Sequence, residues 1–459
     1  MDPVSVACRL FDSPSRPFAV RLWNGTDLPA TREEGVRGRV ALRHPRALDA
    51  WFPIPAERRL AEAFLDGLVD LEGDAIALVE AAARWEGPRR PLALAPHALA
   101  VALGRLVRPH GPAAAAAALH GRKHSVERDR DAVRHHYDVS DDFYRLFLDD
   151  AMVYSCAYFP NGGESLEEAQ RAKLDLVCRK LSLAPGDRFL DVGCGWGALV
   201  EHAGTTYGAA TVGITLSENQ LAEVRRRAAR LGPGGRVEVA SADYRTVRAG
   251  APFDKIASVG MMEHVGRARL GDYFSSIHRL LRPGGLFLNH AIADTSGGVD
   301  TLPWASRRGG GFIARYIFPD GELLPIHEVV RAAEGAGFEV RDLESLPDHY
   351  AETLRIWLGR LESRFDEAVA LAGERRARAY RLYLAASAAA FRLGRNGLFQ
   401  LLLAKRSPSA RREGAPRCRA DWYARPGAEG DGGRDPVPAE VRTIEGTPPS
   451  SAEARGSRP

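Results

Sequence analysis

The sequence predicts an α/β protein: a doubly wound sheet of parallel strands, preceded by a small N-terminal α+β domain and followed by helical additions. Two observations carry that expectation. Between about 136 and 300, short apolar strands alternate with helical segments, and repeated strand–helix units require a parallel sheet with helices on both faces. One strand, Arg188-Phe-Leu-Asp-Val192, runs into the glycine-rich turn Gly193-Cys-Gly-Trp-Gly197 and then a helix, a join at which backbone comes close to a ligand. The length of 459 residues leaves room for two or three domains.

In chain order, Phe18-Ala-Val-Arg-Leu-Trp23 followed by Asn24-Gly25 predicts a strand and turn, and Gly38-Arg-Val-Ala-Leu-Arg43 a second strand. Apolar residues at intervals of three and four predict a helical stretch from Ala56 to Trp85. Residues 1–105 thus read as a small separate domain. Residues 106–135 read as a basic linker or helical approach, with Arg122, Lys123, His124, Arg128, Arg130 and Arg134 beside Glu127, Asp129 and Asp131. The main domain covers 136–405. Its predicted strands are Arg188–Val192, Ala210–Ile214, Val237–Val239, Lys255–Val259 and Leu286–His290, the last entered through a Pro283-Gly284-Gly285 turn. Helices are expected at Ala198–Tyr207, Glu218–Leu231 and Tyr273–Leu281, then a more helical stretch over 310–405 that includes Tyr380–Lys405. In 406–459 Gly, Pro, Ser and Arg outweigh apolar residues, which predicts a disordered tail whose one aromatic patch is Cys418-Arg-Ala-Asp-Trp-Tyr423.

Lys+Arg 63 against Asp+Glu 59 leaves a net charge of +4, too small an excess to point to nucleic acid. Cys8, Cys156, Cys178, Cys194 and Cys418 form no CxxC pair, which argues against a zinc cluster or a disulfide scaffold. No uncharged apolar run reaches the roughly 20 residues of a membrane-spanning helix. The start, Met1-Asp-Pro-Val-Ser5, lacks the basic and apolar regions of a signal peptide. The expectation is a cytoplasmic protein, peripheral at most on the inner face of the membrane, with no metal and no nucleic-acid partner.

Gly193, Gly195 and Ala198 satisfy a G-x-G-x-x-G/A spacing, which dinucleotide sites share with packing turns that hold no ligand. Further details favour S-adenosylmethionine over a nicotinamide cofactor. Asp191 precedes the first glycine by two residues, in a Leu-Asp-Val-Gly-Cys-Gly pattern that resembles those of methyltransferases. The second strand ends in Thr215-Leu216-Ser217, without the acid that an NAD site sets against the ribose. Asp243-Tyr244 follows the third strand, where an adenine would be held.

The ordered motifs go further. His136-Tyr-Asp-Val-Ser-Asp-Asp-Phe143, Tyr154-Ser-Cys-Ala-Tyr-Phe159 and Leu166-Glu-Glu-Ala-Gln170 lead into the glycine turn. Thr215-Leu-Ser-Glu-Asn-Gln220, Val259-Gly-Met-Met-Glu-His-Val-Gly266 and Arg315-Tyr-Ile-Phe-Pro319 follow it. Over about 130–405 the chain resembles cyclopropane-fatty-acyl-phospholipid synthases and the related mycolic acid cyclopropane synthases and methyltransferases, with a weaker match in the N-terminal unit. The resemblance implies a Rossmann-like S-adenosylmethionine methyltransferase fold. It also implies a reaction in which the double bond of an unsaturated acyl chain attacks the sulfonium methyl and the resulting cation loses a proton to close a cyclopropane. Bicarbonate serves that family as the general base. An alkene is a poor nucleophile, so such a site must exclude water, align methyl and π bond, and hold a base beside the cation.

Carried over by motif, the residues implied for the bicarbonate pocket are Cys156, Glu263, His290 and Tyr350. Glu263 follows the strand Lys255–Val259, at the end of an open sheet where ligands bind. Its carboxyl would share a proton with the ion, because two adjacent anions do not both stay ionised cheaply. His290 would donate from the end of its strand, Ile292 would offer its backbone, and Tyr350 its hydroxyl. In Tyr383-Leu-Ala-Ala-Ser387 a serine stands where the family usually has cysteine, which puts the positioning of the base and the fate of the cation in doubt. The residues implied for the cofactor are Tyr154, Ser155, Asp191, Gly193, Gly195, Thr215, Gln220, Asp243 and Tyr244. Trp304, Phe312, Tyr316, Ile317 and Phe318 are candidate walls of an acyl tunnel, and the basic stretch 105–135 would attract anionic headgroups.

These expectations describe an enzyme acting on unsaturated phospholipid chains at the membrane surface, as a monomer or homodimer, with cyclopropane as the leading product. A methylene or methyl branch is the runner-up, the latter requiring a separate reductase. A small-molecule N-methyltransferase and a lipid-binding protein with a dead catalytic fold are the rivals from other classes. The matched pocket and N-terminal unit argue against the first, and the intact glycine turn with Glu263-His264 against the second.

Overall fold

The computed structural model describes residues 2–32, 37–52, 57–107, 123–125, 128–129, 140–231, 237–247, 250–297, 311–406 and 418–423. The chain divides into two units, Met1–Arg417 and Cys418–Pro459. The second contributes one short helix, Ala420–Tyr423. Most of the tail expected to be disordered, most of the basic approach 106–135, the segment 136–139 and Trp304 lie outside the described residues. Among the described residues no helix is long and apolar enough to cross a membrane.

The first unit opens with the helix Pro3–Leu10, whose start is fixed by Asp2 accepting the Val4 and Ser5 amides. Strands β1 (Ala19–Arg21), β2 (Asp27–Leu28), β3 (Gly38–Leu42) and β4 (Val69–Gly73) form a sheet ordered β2-β1-β3-β4. The helices Glu57–Leu65 and Ala75–Ala83 bury Leu60, Ala63, Leu78 and Ala81 with Val20, Val40 and Leu42 of the sheet. The continuous helical reading of Ala56–Trp85 is therefore corrected. Gly67 and Gly73, both at positive φ, bracket β4, which pairs antiparallel with β3 and ties Glu72 to Arg39 across the pair at 2.5 Å. The apolar spacing on either side concealed this strand.

The main sheet has β5 (Arg188–Val192), β6 (Ala210–Thr215), β7 (Val237–Ser241), β8 (Phe253–Val259), β9 (Leu281–Asp294), β10 (Phe338–Ser345) and β11 (Asn396–Lys405), in the order β10-β11-β9-β8-β5-β6-β7. Only β11 runs antiparallel to its neighbours. The chain moves outward from β5 to β7 and returns to β8 on the other side of β5. That reversal makes a crevice at the carboxyl ends of β5 and β8, where open α/β sheets bind ligands.

Two further expectations are corrected here. Residues 396–405 are a strand, not the end of the helix Glu374–Arg392. Gly394, at φ +66, stops the helix, and the run Leu398–Ala404 is buried between β9 and β10, where a continuous apolar stretch suits a strand as well as a helix. His290 does not end its strand either. β9 begins at Leu281, loops out Arg282–Gly285 between the pairs Phe253–Leu281 and Lys255–Leu286, and continues to Asp294 because β11 pairs along it as far as Asn396–Asp294.

The glycine turn needs its glycines for two reasons. Gly193, Gly195 and Gly197 all have positive φ, and a Cβ on Gly197 would lie 2.9 Å from the Val224 side chain on the next helix. Gly197→Ala is expected to lose about 1–2 kcal/mol from the left-handed backbone alone, and more from the contact. The check is a lower urea midpoint with unchanged slope.

Candidate active site

At the carboxyl ends of β5, β6 and β8 lies a cavity whose wall includes all nine residues expected at the cofactor: Tyr154, Ser155, Asp191, Gly193, Gly195, Thr215, Gln220, Asp243 and Tyr244. Tyr154 and Ser155 reach it from a loop that its own sequence fixes. The Asp149 carboxylate accepts the Val153 amide at 2.7 Å, and the Gln170 side chain donates to the Ser155 carbonyl at 2.8 Å. Gln170 is held in turn by the helix Leu166–Lys180, which starts in a reciprocal cap between Ser165 and Glu168.

The turn itself departs from a simple cradle of free amides. The Gly193 and Cys194 amides both donate to the Ile214 carbonyl at 3.0 Å, clamping the turn to β6. At the tip of β6, the Thr215 hydroxyl donates to Gln220 Oε1 at 2.7 Å, which leaves the Gln220 N–H₂ as that amide's free end. Asp243 is fixed by Arg245, whose Nε and Nη2 donate to its two oxygens at 2.8 and 2.6 Å; the same Nη2 donates to Asp129 at 2.9 Å. Beside these ligands lies a residue that the motifs did not single out. Lys173 is fully buried, lines the cavity and donates to Ser155 Oγ at 3.0 Å. Burial lowers its pKa to about 8 and raises that of Asp191 to about 7, the Lys173 charge working against the latter shift. Asp191 Oδ1 has no hydrogen-bond partner.

Past β8, the backbone enters a short turn in which Glu263 folds back onto β9. The Ile292 amide donates to Glu263 Oε1 at 2.8 Å, and Gly260 N–H donates to the His290 carbonyl at 2.8 Å. Glu263, His290 and Ile292 are thus brought together, with one correction: the Ile292 amide is committed to Glu263 and is not open to a ligand. Burial raises the Glu263 pKa to about 7, with the Ile292 bond opposing, and its Oε2 is buried without a partner. His290 is held near a pKa of about 3, chiefly by burial, so the ring is neutral at physiological pH. Gln400 of β11 lies 3.1 Å from His290 Nδ1, and Nε2 is buried without a partner.

Among the described residues, no hydrogen bond ties the other expected residues to this pair. Cys156 is buried, with its thiol donating to the Ala157 carbonyl at 3.0 Å and its pKa pushed up by burial. Tyr350 is buried near the start of the helix Pro347–Ser363, its ring 4.9 Å from Phe391. Ser387, one turn before Phe391, is buried on the facing helix Glu374–Arg392. Aromatic rings pack against Tyr154 and Trp196 of the cavity wall. Tyr154 meets Tyr144 and Trp357 at 5.2 Å, Tyr144 meets Trp196 at 5.0 Å, and the Tyr144 and Tyr380 hydroxyls are 2.7 Å apart. Phe312, Tyr316 and Ile317 are buried in the same core, and Phe318 packs on Tyr383 at 5.6 Å.

Of the basic approach, Lys123 is exposed, but two other described residues are already committed. His124 is buried against Gly266, and Arg128 donates to both oxygens of Asp320, so neither is available to a headgroup.

A family model described as mycolic acid cyclopropane synthetase matches residues 124–401. The "Probable fatty acid methyltransferase" of Pseudomonas putida is 37% identical over 414 residues, covering 89% of this chain and 96% of that protein. The "Cyclopropane mycolic acid synthase MmaA2" of Mycobacterium tuberculosis is 39% identical over 279 residues, covering 60% and 96% respectively. The crystal structure of mycolic acid cyclopropane synthase CmaA1 complexed with SAH and CTAB is similar at a TM-score of 0.58 and 39% identity, covering 60% of this chain and 98% of that one. Coclaurine N-methyltransferase, at 19% identity and a TM-score of 0.54, shares the fold.

Proposed function

The chain belongs to the mycolic acid cyclopropane synthetase family of S-adenosylmethionine-dependent methyltransferases that modify lipid chains, and from that premise we propose that it methylates the double bond of an unsaturated acyl chain in a phospholipid to give a cyclopropane. The observation that carries this reading is the pair Glu263 and His290, each with one buried polar atom that has no partner among the described residues, beside the cofactor cavity and the rings of Tyr154 and Trp196 on its wall. An amine methyltransferase needs no such base site.

When bound, S-adenosylmethionine supplies an electrophilic sulfonium methyl and bicarbonate supplies a base. Addition of the methyl cation and loss of a proton leave the chain one CH₂ larger. The chain's own residues would do the rest. The Ile292 amide fixes Glu263, whose raised pKa lets Oε2 share a proton with an anion where a free carboxylate would repel it. His290, neutral and buried, offers Nε2, with Gln400 at its other nitrogen setting the tautomer. Tyr350 and the Cys156 loop complete the proposed pocket, and Tyr144, Tyr154, Trp196 and Trp357 exclude water from it. Thr215, Gln220, Asp243 and Asp191 are the proposed cofactor contacts.

A second product follows from Ser387. With serine in place of the family's usual cysteine, the cation would undergo a hydride shift before proton loss, giving a methylene branch. The printed name of the Pseudomonas relative, a fatty acid methyltransferase, favours keeping this outcome. Lipid extracts from cells expressing the protein and fed methyl-labelled methionine separate the readings. Chromatography and fragmentation are required because the two products share one mass. A labelled cyclopropane chain is the expected result, a labelled branch supports the second product, and absence of label from acyl chains overturns both.

A further inference from the structure

The N-terminal unit holds a second cavity, of about 590 Å³, whose wall contains none of the residues assigned to the site above. Phe11, Phe18, Trp51, Phe64 and Trp85 stand on its wall with Leu382 from the helix Glu374–Arg392. The rings brace one another. Phe11 stacks on Trp85 at 5.7 Å and meets Trp51 edge-on at 5.5 Å, and Phe18 meets Trp85 edge-on at 5.7 Å.

The cavity opens to solvent at its rim, where Pro91 and Ala95 are exposed, and its wall is otherwise almost wholly apolar. Water is a poor filler here, because each buried water needs two to four polar partners. Glu86 is the one ionisable side chain among the described wall residues. Trp85 also brings a buried indole N–H that has no acceptor among the described residues. A ligand that is apolar along most of its length and carries an acceptor at one end answers both observations. Glu86 is exposed at the rim, and the acceptor that suits the neutral Trp85 N–H without bringing a buried charge is an ester carbonyl.

We propose that this cavity binds one hydrocarbon chain of a diacyl lipid, with the Trp85 N–H donated to an ester carbonyl. The proposal rests on the reading of the enzyme as one that acts on phospholipid acyl chains, and it deepens that reading. Leu382, on this wall, directly precedes Tyr383, which packs on Phe318 at the candidate acyl tunnel. The chain that does not react would thus be held next to the helix that flanks the chain that does. Shorter relatives that match only the main domain would lack this second grip.

The test uses the full-length protein and phosphatidylglycerol vesicles in which one acyl chain ends in a diazirine. After irradiation, the labelled peptides are mapped. The expected result is label on peptides carrying Trp51 or Trp85 in addition to peptides from 136–405. Ala98→Trp, which fills the cavity, and Ala95→Trp, which obstructs its exposed rim, are expected to lose the N-terminal label while keeping the other. Binding of S-adenosylhomocysteine reports whether each variant is folded; if Ala98→Trp fails that check, Ala95→Trp decides. Label confined to 136–405 overturns this inference and leaves the acyl-chain reading intact. N-terminal label that persists in the folded variants overturns it as non-specific capture. N-terminal label from a diazirine fatty acid but not from the phospholipid overturns the diacyl assignment. No label anywhere removes the phospholipid reading, and this inference with it.

Discussion

Glu263→Gln is expected to lower turnover about 10²- to 10⁴-fold, the range that a positioned acid or base contributes, while S-adenosylhomocysteine binds as in the wild type. The substitution keeps the acceptor for the Ile292 amide and removes the ionisable oxygen. Its effect on stability has the opposite sign. The Glu263 pKa of about 7 lies above the ordinary 4.5, so the folded protein holds a proton that the unfolded chain releases. The wild type therefore loses stability as pH rises from about 4.5 to 7, by about 3 kcal/mol once both states are ionised. Glutamine has nothing to ionise. The variant is expected to melt higher than the wild type at pH 8 and at about the same temperature at pH 5. A variant that is inactive and also less stable at pH 8 would show that Glu263 is a structural residue.

Lys173→Met is expected to weaken binding of S-adenosylmethionine by about 10- to 100-fold, the loss of one charge-assisted contact. The buried ammonium donates to the neutral Ser155 Oγ and forms no ion pair among the described residues, in a cavity whose wall also carries Asp129, Asp191, Asp243 and Arg245, the last already paired with Asp129 and Asp243. Asp149 and Asp191 attract it without a direct contact, so an anion at hydrogen-bond distance is what it lacks, and the cofactor's carboxylate is one. 5′-Methylthioadenosine, which has the adenosine but no carboxylate, is the control. Calorimetric titration should show the variant weakened for the full cofactor and unchanged for the fragment. Equal losses for both would mean that removing Lys173 merely disorders the cavity. Because the Lys173 pKa is lowered to about 8, the wild-type advantage for the full cofactor should also fade as pH rises above 8.

The cofactor half of the site was legible in the sequence because its chemistry is local. Asp191, Gly193 and Gly195 sit within one strand-to-helix turn, and Thr215, Asp243 and Tyr244 each follow a strand that periodicity reveals, whereas Gln220, Tyr154 and Ser155 came from the family resemblance. Parallel strands deliver their carboxyl ends to one edge of the sheet, so residues at those ends converge without any knowledge of packing. Lys173 carried no such signal. It lies in the middle of a charged helix, where a lysine ordinarily faces water, and only the docking of Leu166–Lys180 against the loop of Ser155 buries it. Gln400 was hidden for another reason: the run Leu398–Ala404 fits a helix as well as a strand, and a helical reading puts no side chain beside His290.

The N-terminal unit divides in the same way. Its first strands were readable from alternation and an Asn-Gly turn, whereas β4 was masked by helices of similar apolar spacing on both sides. Its cavity left no trace in the sequence, since the aromatic residues around it are those that would fill a core.

By itself, then, the sequence determined the strand–helix alternation, the glycine turn and, through ordered motifs that resemble a family, nine residues that line one cavity, because each motif is a run of residues close together along the chain. Tertiary structure alone decided that β9 runs on to Asp294, that the Ile292 amide belongs to Glu263, that Arg128 is spent on Asp320, and that Lys173 is buried at the cofactor cavity. Each of these is a pairing between segments far apart in sequence. A buried polar group must find its partner wherever the packed fold brings one, and local pattern carries no record of that partner.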